Sequence, residues 1–315
     1  MIQVEYFLFI LGFIILIIGA DYLVEGASSI AKKFNLSDAV IGMTIVAFGT
    51  SAPELIVNIL ASFNGKAELA VANVIGSNIS NILLILGITA ALHPIRIRRK
   101  MTKREIPIVI LGCLVLLFLS NDQFINKGAN LISKLDGLIL LIFFVFFFFL
   151  SFKKSGDQEE EITKQKNLLV SLLEFFSGLL GLFFGGQWIV DGASSIAENF
   201  GISQAFIGLV IVAIGTSLPE LATSVMAATK KKVDIAIGNV VGSNIFNTYF
   251  VLGVSSVIRP IAYEDKLNFD LLINFVVSLF LLIPLLSGSK YIKRSYGVFF
   301  LISYVAYLIV IYQRG

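Results

Sequence analysis

Two nearly identical motifs place a proline and a carboxylate inside long apolar segments. The first, GTSAPEL, occupies residues 49–55, and the second, GTSLPEL, occupies residues 215–221. A proline lacks the backbone N–H, so the helical carbonyl four residues earlier loses its partner. The neighbouring Thr and Ser hydroxyls can bond either to the helix backbone or to a ligand. Each motif therefore predicts a broken helix that presents carbonyl, hydroxyl and carboxylate oxygens together.

Glu54 and Glu220 are the carboxylates expected near the middle of these two segments. No Lys or Arg lies within the apolar segments that carry them. A carboxylate inside a membrane costs at least a few kcal/mol unless a positive charge compensates for it. The compensating charge is therefore expected to come from a bound cation.

A second pair of motifs follows the first pair, with NVIGSNISN at 73–81 and NVVGSNIFN at 239–247. Residues four apart share one face of a helix. The polar pairs with this spacing are Ser77 with Asn81 and Ser243 with Asn247. Hydroxyl, amide and carboxylate oxygens suit hard cations such as Na⁺ or Ca²⁺, whereas zinc and copper prefer nitrogen and sulfur.

The composition predicts that the elements holding these motifs are membrane helices. Of 315 residues, 57% are apolar and 14% are charged, and the mean hydropathy is +0.91. Soluble domains have about 25% charged residues. The net charge of +3 gives no indication of a surface that binds nucleic acid. A single cysteine excludes an internal disulfide.

Ten apolar segments are long enough, or nearly so, to cross a bilayer, which takes about 20 residues. They are 6–24, 37–63, 69–92, 106–120, 137–152, 168–190, 203–229, 233–258, 270–286 and 296–312. The predicted fold class is therefore an all-α membrane protein with ten transmembrane helices. The longest polar break, 153–167, is predicted to be a solvated linker.

The distribution of Lys and Arg predicts the orientation. With ten spans, 18 of the 24 basic residues fall in one set of loops and six in the other. The richer set is predicted to be cytoplasmic, which puts the linker 153–167 inside and both termini outside the cell membrane. Glu25 and Asp191, which occupy equivalent positions in the two halves, are predicted to lie at solvated helix ends.

The two halves of the chain repeat one another at a constant offset of 166 residues. Between 41–55 and 207–221, eleven of fifteen positions are identical. Each copy holds five predicted spans, and an odd number inverts the second copy relative to the first. Inverted repeats with broken helices at the midplane are typical of secondary transporters. The predicted domains are 1–152, the linker 153–167, and 168–315.

The paired motifs GTSAPE…GSNISN and GTSLPE…GSNIFN resemble the two α-repeats of the sodium/calcium exchanger family, within the calcium/cation antiporter superfamily. The resemblance covers essentially the whole chain. It implies Na⁺/Ca²⁺ antiport by alternating access, with broken helices 2 and 7 meeting around the ions and Glu54 and Glu220 shared by both ions. The ligands implied are Ala47 and Ala213 (by their carbonyls), Thr50, Ser51, Glu54, Ser77, Thr216, Ser217, Glu220 and Ser243. The amides of Asn81 and Asn247, already singled out by their spacing, complete the predicted set.

Several alternatives remain open from the sequence. Some members of the family that this chain resembles, including potassium-dependent exchangers and some prokaryotic ones, carry Asp at one of the positions equivalent to Asn81 and Asn247. Two Asn leave two carboxylates, which match one Ca²⁺ and favour a potassium-independent exchanger. Proton-coupled calcium exchangers typically carry a GNxxE-type signature instead of GTSxPE, so this chain resembles them less.

Functions outside the antiporters fit less well. A cation channel would not need two inverted copies of a closed acidic site. The single His and the lack of an intramembrane Asp pair or an HExxH motif argue against an enzyme. We therefore expect no cofactor. The partners we expect are the transported Na⁺ and Ca²⁺ ions and the bilayer, with no nucleic acid, and the sequence leaves the oligomeric state open. The short linker has no room for a regulatory domain.

Overall fold

The computed structural model describes residues 2–64, 68–99, 101–121, 130–152, 166–199, 213–286 and 288–314. These parts are almost entirely helical, which confirms the predicted all-α class. Residues 153–165 of the predicted linker and 203–212 of the seventh predicted span lie outside the described residues.

The helices are named in chain order. They are α1 (Ile2–Lys33), α2 (Asp38–Thr50), α3 (Ala52–Phe63), α4 (Leu69–Leu92), α5 (Ile106–Leu119), α6 (Lys134–Phe152), α7 (Leu168–Asn199), α8 (Ala213–Thr216), α9 (Leu218–Thr229), α10 (Val233–Ile258), α11 (Leu267–Phe280), α12 (Ile283–Leu286) and α13 (Arg294–Arg314). Among the described residues, six helices are long and apolar enough to cross a membrane, or seven if the bent pair α2 and α3 forms one span. The chain is thus a multi-pass membrane protein, and the count of ten spans stays a prediction.

Helices α1 and α7 are longer than the sequence predicted. The predicted spans 6–24 and 168–190 counted apolar residues, but both helices continue through the repeated GASSIA segments to Lys33 and Asn199. At about 1.5 Å per residue, such helices exceed the apolar thickness of a bilayer by several turns.

The prediction that Glu25 and Asp191 lie at helix ends was therefore wrong. Both residues lie well inside their helices. Glu25 Oε1 accepts hydrogen bonds from Lys230 Nζ at 3.0 Å and from Lys232 Nζ at 2.9 Å, and Lys230 Nζ also lies 2.6 Å from Asp21 Oδ1. For Glu25, these ion pairs supply the charge compensation that the prediction had assigned to water.

Glycines allow α1 and α7 to pack backbone against backbone. A Cβ on Gly178 would lie 2.4 Å from the backbone nitrogen of Leu23, and one on Gly185 would lie 2.7 Å from that of Leu16. Such distances leave no room for a side chain. The two helix backbones therefore lie as close together as small residues allow in membrane proteins. Buried Leu, Ile, Val and Ala side chains of both helices continue into one apolar core with parts of α2, α9 and α10.

The chain packs as two compact units, each built from parts of both sequence repeats. One unit is Met1–Thr50 with Lys153–Asn239, and the other is Ser51–Phe152 with Val240–Gly315. Of the three boundaries, one falls inside the first GTS motif, one at the end of α6 and one inside α10. The predicted domains 1–152 and 168–315 describe the duplication in the sequence and stay a prediction.

In the part of the second unit that the structure describes, two short antiparallel strand pairs link the loops between helices. β1 (Ile95–Arg96) pairs with β4 (Tyr291–Ile292), and β2 (Leu131–Ile132) pairs with β3 (Ile261–Ala262). The sequence did not predict these strands, because two residues are too few to produce an alternating pattern.

Candidate cation site

Both GTSxPE motifs break a helix at the serine. Helix α2 ends at Thr50 and α3 begins at Ala52 with a bend of 45°, while α8 ends at Thr216 and α9 begins at Leu218. The backbone angles at Ser51 (φ −84°, ψ 6°) and Ser217 (φ −87°, ψ 1°) are almost the same. The predicted breaks are therefore present in both copies, in the same conformation.

Each proline lies in the first turn of the restarting helix, where a missing N–H costs little. Each carboxylate follows it in that same turn, and Glu54 and Glu220 are both only 1% exposed. The N-terminal end of a helix carries partial positive charge, which favours a carboxylate there. This effect is worth about 0.3–1 kcal/mol, up to about 2 kcal/mol when partly buried, so it offsets only part of the cost of burial.

In the first unit, an asparagine joins the two repeats. Thr50 Oγ1 donates to Asn239 Oδ1 at 3.0 Å, and Asn239 Nδ2 donates to Ser224 Oγ at 3.1 Å and to the Glu220 carbonyl at 3.4 Å. Because its proton is used, the Thr50 hydroxyl has lone pairs left for a cation. Asn239 was not among the predicted ligands, although its position at the start of a repeated motif was the available signal.

In the second unit, Asn73, the equivalent of Asn239, also bonds to the helix that follows the GTS break. Asn73 Nδ2 donates to Asn58 Oδ1 at 2.9 Å, and Asn58 occupies the position equivalent to Ser224. Asn58 Nδ2 in turn donates to the Ala70 carbonyl at 3.4 Å. The first asparagine of each NVxGSN motif therefore fixes the helix that follows the GTS break.

The last asparagine of each motif lies at a widened helical turn. Asn81 begins the π-helical segment Asn81–Ile85, and Asn247 lies within the π-helical segment Phe246–Val251. A third such segment, Gly42–Val46, precedes the first GTS motif. Segments of this kind occur often at functional sites. The π-helical segments could not be predicted from the sequence, because the hydrophobic pattern of a π turn hardly differs from that of an α-helix.

These two amides offer unused oxygen atoms. Asn81 and Asn247 are each 1% exposed. Asn81 Nδ2 donates to Asn244 Oδ1 at 3.0 Å, but Asn81 Oδ1 has no hydrogen-bond partner within the described ranges. For Asn247, neither amide atom has a partner there. Buried amide groups are seldom left unpaired, so each of these oxygens is suited to bind an ion.

The predicted ligands divide equally between the two units. The first unit holds Ala47, Thr50, Ala213, Thr216, Ser217 and Glu220. The second holds Ser51, Glu54, Ser77, Asn81, Ser243 and Asn247. Direct hydrogen bonds link Thr50 to Asn239 in the first unit and Asn81 to Asn244 in the second. That the two sets hold the same ions stays a prediction.

The chemistry of both sets is that of oxygen ligands. Each set has one carboxylate, and its other members offer hydroxyl, amide or carbonyl oxygens. In the parts of the chain that the structure describes, no group of three or more His, Cys, Asp or Glu side chains could hold a metal ion. Neutral oxygens with few carboxylates suit ions that must be released as well as bound.

Comparisons with known proteins match nearly the whole chain. The family model described as sodium/calcium exchanger protein matches residues 4–153 and 170–313. The sodium/calcium exchanger MaX1 of Methanosarcina acetivorans is 35% identical over 358 residues, covering 99% of each protein. The inner membrane protein YrbG of Escherichia coli is 34% identical over 289 residues, covering 86% of this chain and 87% of that protein.

Solved structures of the sodium-calcium exchanger NCX_Mj have a similar fold. One, soaked with 10 mM Na⁺ and zero Ca²⁺, gives a TM-score of 0.86 at 33% identity and covers 98% of this chain and 99% of that chain. Another, soaked with 2.5 mM Na⁺ and 10 mM Sr²⁺, gives a TM-score of 0.85 at 34% identity with the same coverage.

Proposed function

Because the chain belongs to the sodium/calcium exchanger family, we propose that it exchanges Na⁺ for Ca²⁺ across a membrane as a secondary antiporter. Proteins of this family are transporters and not enzymes, and the family implies no cofactor. MaX1 is named a sodium/calcium exchanger, and the NCX_Mj structures were soaked with Na⁺, Ca²⁺ or Sr²⁺. These relatives support cation antiport that includes Ca²⁺.

The observation that carries the proposal is the pair of matching helix breaks with a buried carboxylate in each. Glu54 and Glu220 occupy the same turn of equivalent helices, and each is almost completely buried. Two carboxylates balance the charge of one Ca²⁺, so the occupied site would be neutral in a medium where unbalanced charge is costly.

We assign the transported ions to the predicted oxygen set. Glu54 and Glu220 bind both Na⁺ and Ca²⁺, and the hydroxyl, amide and carbonyl oxygens complete the coordination. The full set is Ala47, Thr50, Ser51, Glu54, Ser77, Asn81, Ala213, Thr216, Ser217, Glu220, Ser243 and Asn247. The unused buried oxygens of Asn81 and Asn247 support this assignment.

The repeats provide the route for alternating access. Ten spans in two inverted five-helix repeats, 1–152 and 168–315, would let one ion site open to either face in turn. The Lys and Arg distribution supports a cytoplasmic loop at 153–167 and termini outside the cell membrane. The close packing of α1 on α7 supports their movement as one pair.

The proposed exchange is electrogenic. About three Na⁺ for one Ca²⁺ moves one net positive charge per cycle, which couples transport to voltage at about 2.3 kcal/mol per 100 mV. An inside-negative potential then favours Na⁺ entry and Ca²⁺ exit.

The test is uptake of ⁴⁵Ca²⁺ into proteoliposomes loaded in turn with Na⁺, with K⁺, or at low pH to give a proton gradient. We expect uptake to require internal Na⁺ and to increase when the interior is made positive. Uptake that needs K⁺ together with Na⁺ would indicate a potassium-dependent exchanger, and uptake driven by protons alone would indicate proton coupling. Uptake without any counter-ion would indicate a channel and would refute the proposal.

A further inference from the structure

We propose that Asn244 is a positioning residue that turns the amide oxygen of Asn81 toward the ion, and that Asn78, its copy in the first repeat, does not do this for Asn247. The inference rests on the proposed function, because it assumes that Asn81 binds a transported cation. Asn78 and Asn244 are the middle asparagines of NVIGSNISN and NVVGSNIFN, and neither is among the predicted ligands.

The orientation of Asn81 follows from a chain of hydrogen bonds that starts at a backbone carbonyl. Asn244 Nδ2 donates to the carbonyl of Asn78 at 3.3 Å. A backbone carbonyl only accepts, so Asn244 must face it with its nitrogen and must face Asn81 with its oxygen. Asn244 Oδ1 then accepts from Asn81 Nδ2 at 3.0 Å. The remaining atom of Asn81, Oδ1, is left as the unbonded oxygen.

The equivalent hydrogen bond, between Asn247 and Asn78, is not formed among the described residues of the same unit. Symmetry would have Asn247 Nδ2 donate to Asn78 Oδ1, yet neither atom has a hydrogen-bond partner among the described residues. Asn78 Nδ2 instead donates to Thr248 Oγ1 at 2.8 Å. The residue equivalent to Thr248 in the first repeat is Ile82, which has no such acceptor, so nothing similar competes for Asn244.

Two motifs with the same GSN sequence therefore support their ligands differently. The Asn81 amide is fixed with its oxygen available before an ion arrives. The Asn247 amide has no bond of this kind to the described residues, so no such bond sets which of its ends faces an ion. A ligand whose orientation is set by a neighbouring group binds a metal more tightly, and loss of that neighbour typically weakens metal affinity about 10–100-fold.

Direct ⁴⁵Ca²⁺ binding to the purified protein in detergent tests the proposal independently of transport. We expect Asn244→Ala to weaken Ca²⁺ binding about tenfold, at the lower end of that range, because the Asn81 amide can then rotate. Asn78→Ala is the matched control. It removes an equally buried amide but keeps the backbone carbonyl that Asn244 uses, so we expect a change of less than about threefold, below the range for loss of an orienting partner.

A double substitution separates positioning from general structural damage. Both oxygens of a carboxylate are equivalent, so Asn81→Asp needs no orienting partner. In that background we expect Asn244→Ala to weaken binding less than about twofold, well short of the loss expected for an oriented amide. If Asn244→Ala weakens binding equally in both backgrounds, or has no more effect than Asn78→Ala, Asn244 does not position Asn81.

Two further measurements keep the outcomes distinct. If Asn244→Ala does not fold, Asn244→Leu fills the space and also removes the acceptor, and the same loss of affinity is expected from it. Glu54→Gln and Glu220→Gln report on the proposed function itself. If they abolish Ca²⁺ binding and the Asn244 variants do not weaken it, the ion site stands and the positioning role is refuted. If Ca²⁺ binding survives both Gln variants, the proposed ion site is refuted first.

Discussion

The hydroxyl of Thr50 donates to the amide oxygen of Asn239 at 3.0 Å, and this bond links the first sequence repeat to the second inside one compact unit. Asn239 is itself held by donating to Ser224 and to the carbonyl of Glu220. The break in one repeat is thereby tied to the backbone beside the carboxylate of the other. The position of Thr50 thus depends on a residue 189 positions away in the sequence.

Thr50→Val keeps the shape of the side chain but removes its hydroxyl. We expect a loss of stability of about 1–3 kcal/mol, because Asn239 Oδ1 would be buried without its donor. We also expect weaker Ca²⁺ binding. Thr50→Ser retains the hydroxyl and is the matched control. Thermal unfolding in detergent and ⁴⁵Ca²⁺ binding measure the two effects, and equal behaviour of the two variants would show that the bond contributes nothing.

Glu54→Gln and Glu220→Gln each remove one of the two carboxylates while preserving side-chain size. We expect both variants to fold and both to lose Ca²⁺ exchange, because a divalent ion would then face half of the compensating charge in a medium of low dielectric constant. Na⁺-driven ⁴⁵Ca²⁺ uptake with purified, monodisperse protein is the measurement. Near-normal uptake by either variant would show that its carboxylate is not required.

Asn247→Asp adds a carboxylate where some family members resembling this chain already have one. We expect it to retain more exchange than Glu220→Gln, and to change the dependence of exchange on protons or K⁺. The physical reason is that the Asn247 amide is free of hydrogen bonds to the described residues and can be replaced without breaking any of them. Parallel uptake assays at several pH values and K⁺ concentrations test this, and an Asp variant as inactive as Glu220→Gln would contradict it.

Gly185→Ala and Gly186→Ala are neighbouring changes with opposite expectations. A Cβ on Gly185 would lie 2.7 Å from Leu16 N and 2.8 Å from the Gly12 carbonyl, so α1 and α7 would be forced apart. A Cβ on Gly186 would meet Pro219 at an ordinary 3.9 Å. Alanine also favours a helix over glycine by about 1 kcal/mol.

We therefore expect Gly185→Ala to lower the midpoint of thermal unfolding clearly, and Gly186→Ala to leave it unchanged or raise it slightly. Both substitutions are in the same helix and share the same gain in helix propensity, so their difference isolates the packing of α1 on α7. Equal midpoints for the two variants would mean that the backbone contact is not close in solution.

Lys230→Met removes the ion pairs of Lys230 with Asp21 and Glu25. Burial lowers the pKa of Lys230, but hydrogen bonds and charges from these two carboxylates raise it more, so the net pKa lies above its ordinary value. The stabilising contribution of the Lys230 charge is therefore present at neutral pH, well below the ordinary lysine pKa of about 10.4, and disappears as the pH rises through the raised value.

At neutral pH we expect Lys230→Met to cost about 1 kcal/mol or less, and less again at high salt, because the groups are partly exposed. Lys231→Met is the matched control, since Lys231 is exposed and forms no ion pair with the described residues. Unfolding midpoints at low and high salt measure both. A salt-independent loss for Lys230→Met would show that the ion pairs are not its cause.

Local chemistry explains why the helix breaks of the candidate site could be predicted from the sequence. A proline within a helix removes a hydrogen bond and kinks or breaks that helix, and an isolated Glu in an apolar segment predicts a compensating cation. The 166-residue offset showed that both features occur twice. These inferences need only nearby residues, so the breaks at Ser51 and Ser217 are where the motifs predicted them.

The tertiary structure decided the features that depend on distant residues. Helix α1 continues past Glu25, whose carboxylate is compensated by Lys230 and Lys232 from the far half of the chain, and apolar periodicity contains no trace of that pairing. The two units cut across the repeats for the same reason, because packing follows which surfaces meet and not which segments share an origin. The identical GSN sequences likewise make different hydrogen bonds, because Asn78 donates to Thr248, a neighbour that the first repeat replaces with Ile82.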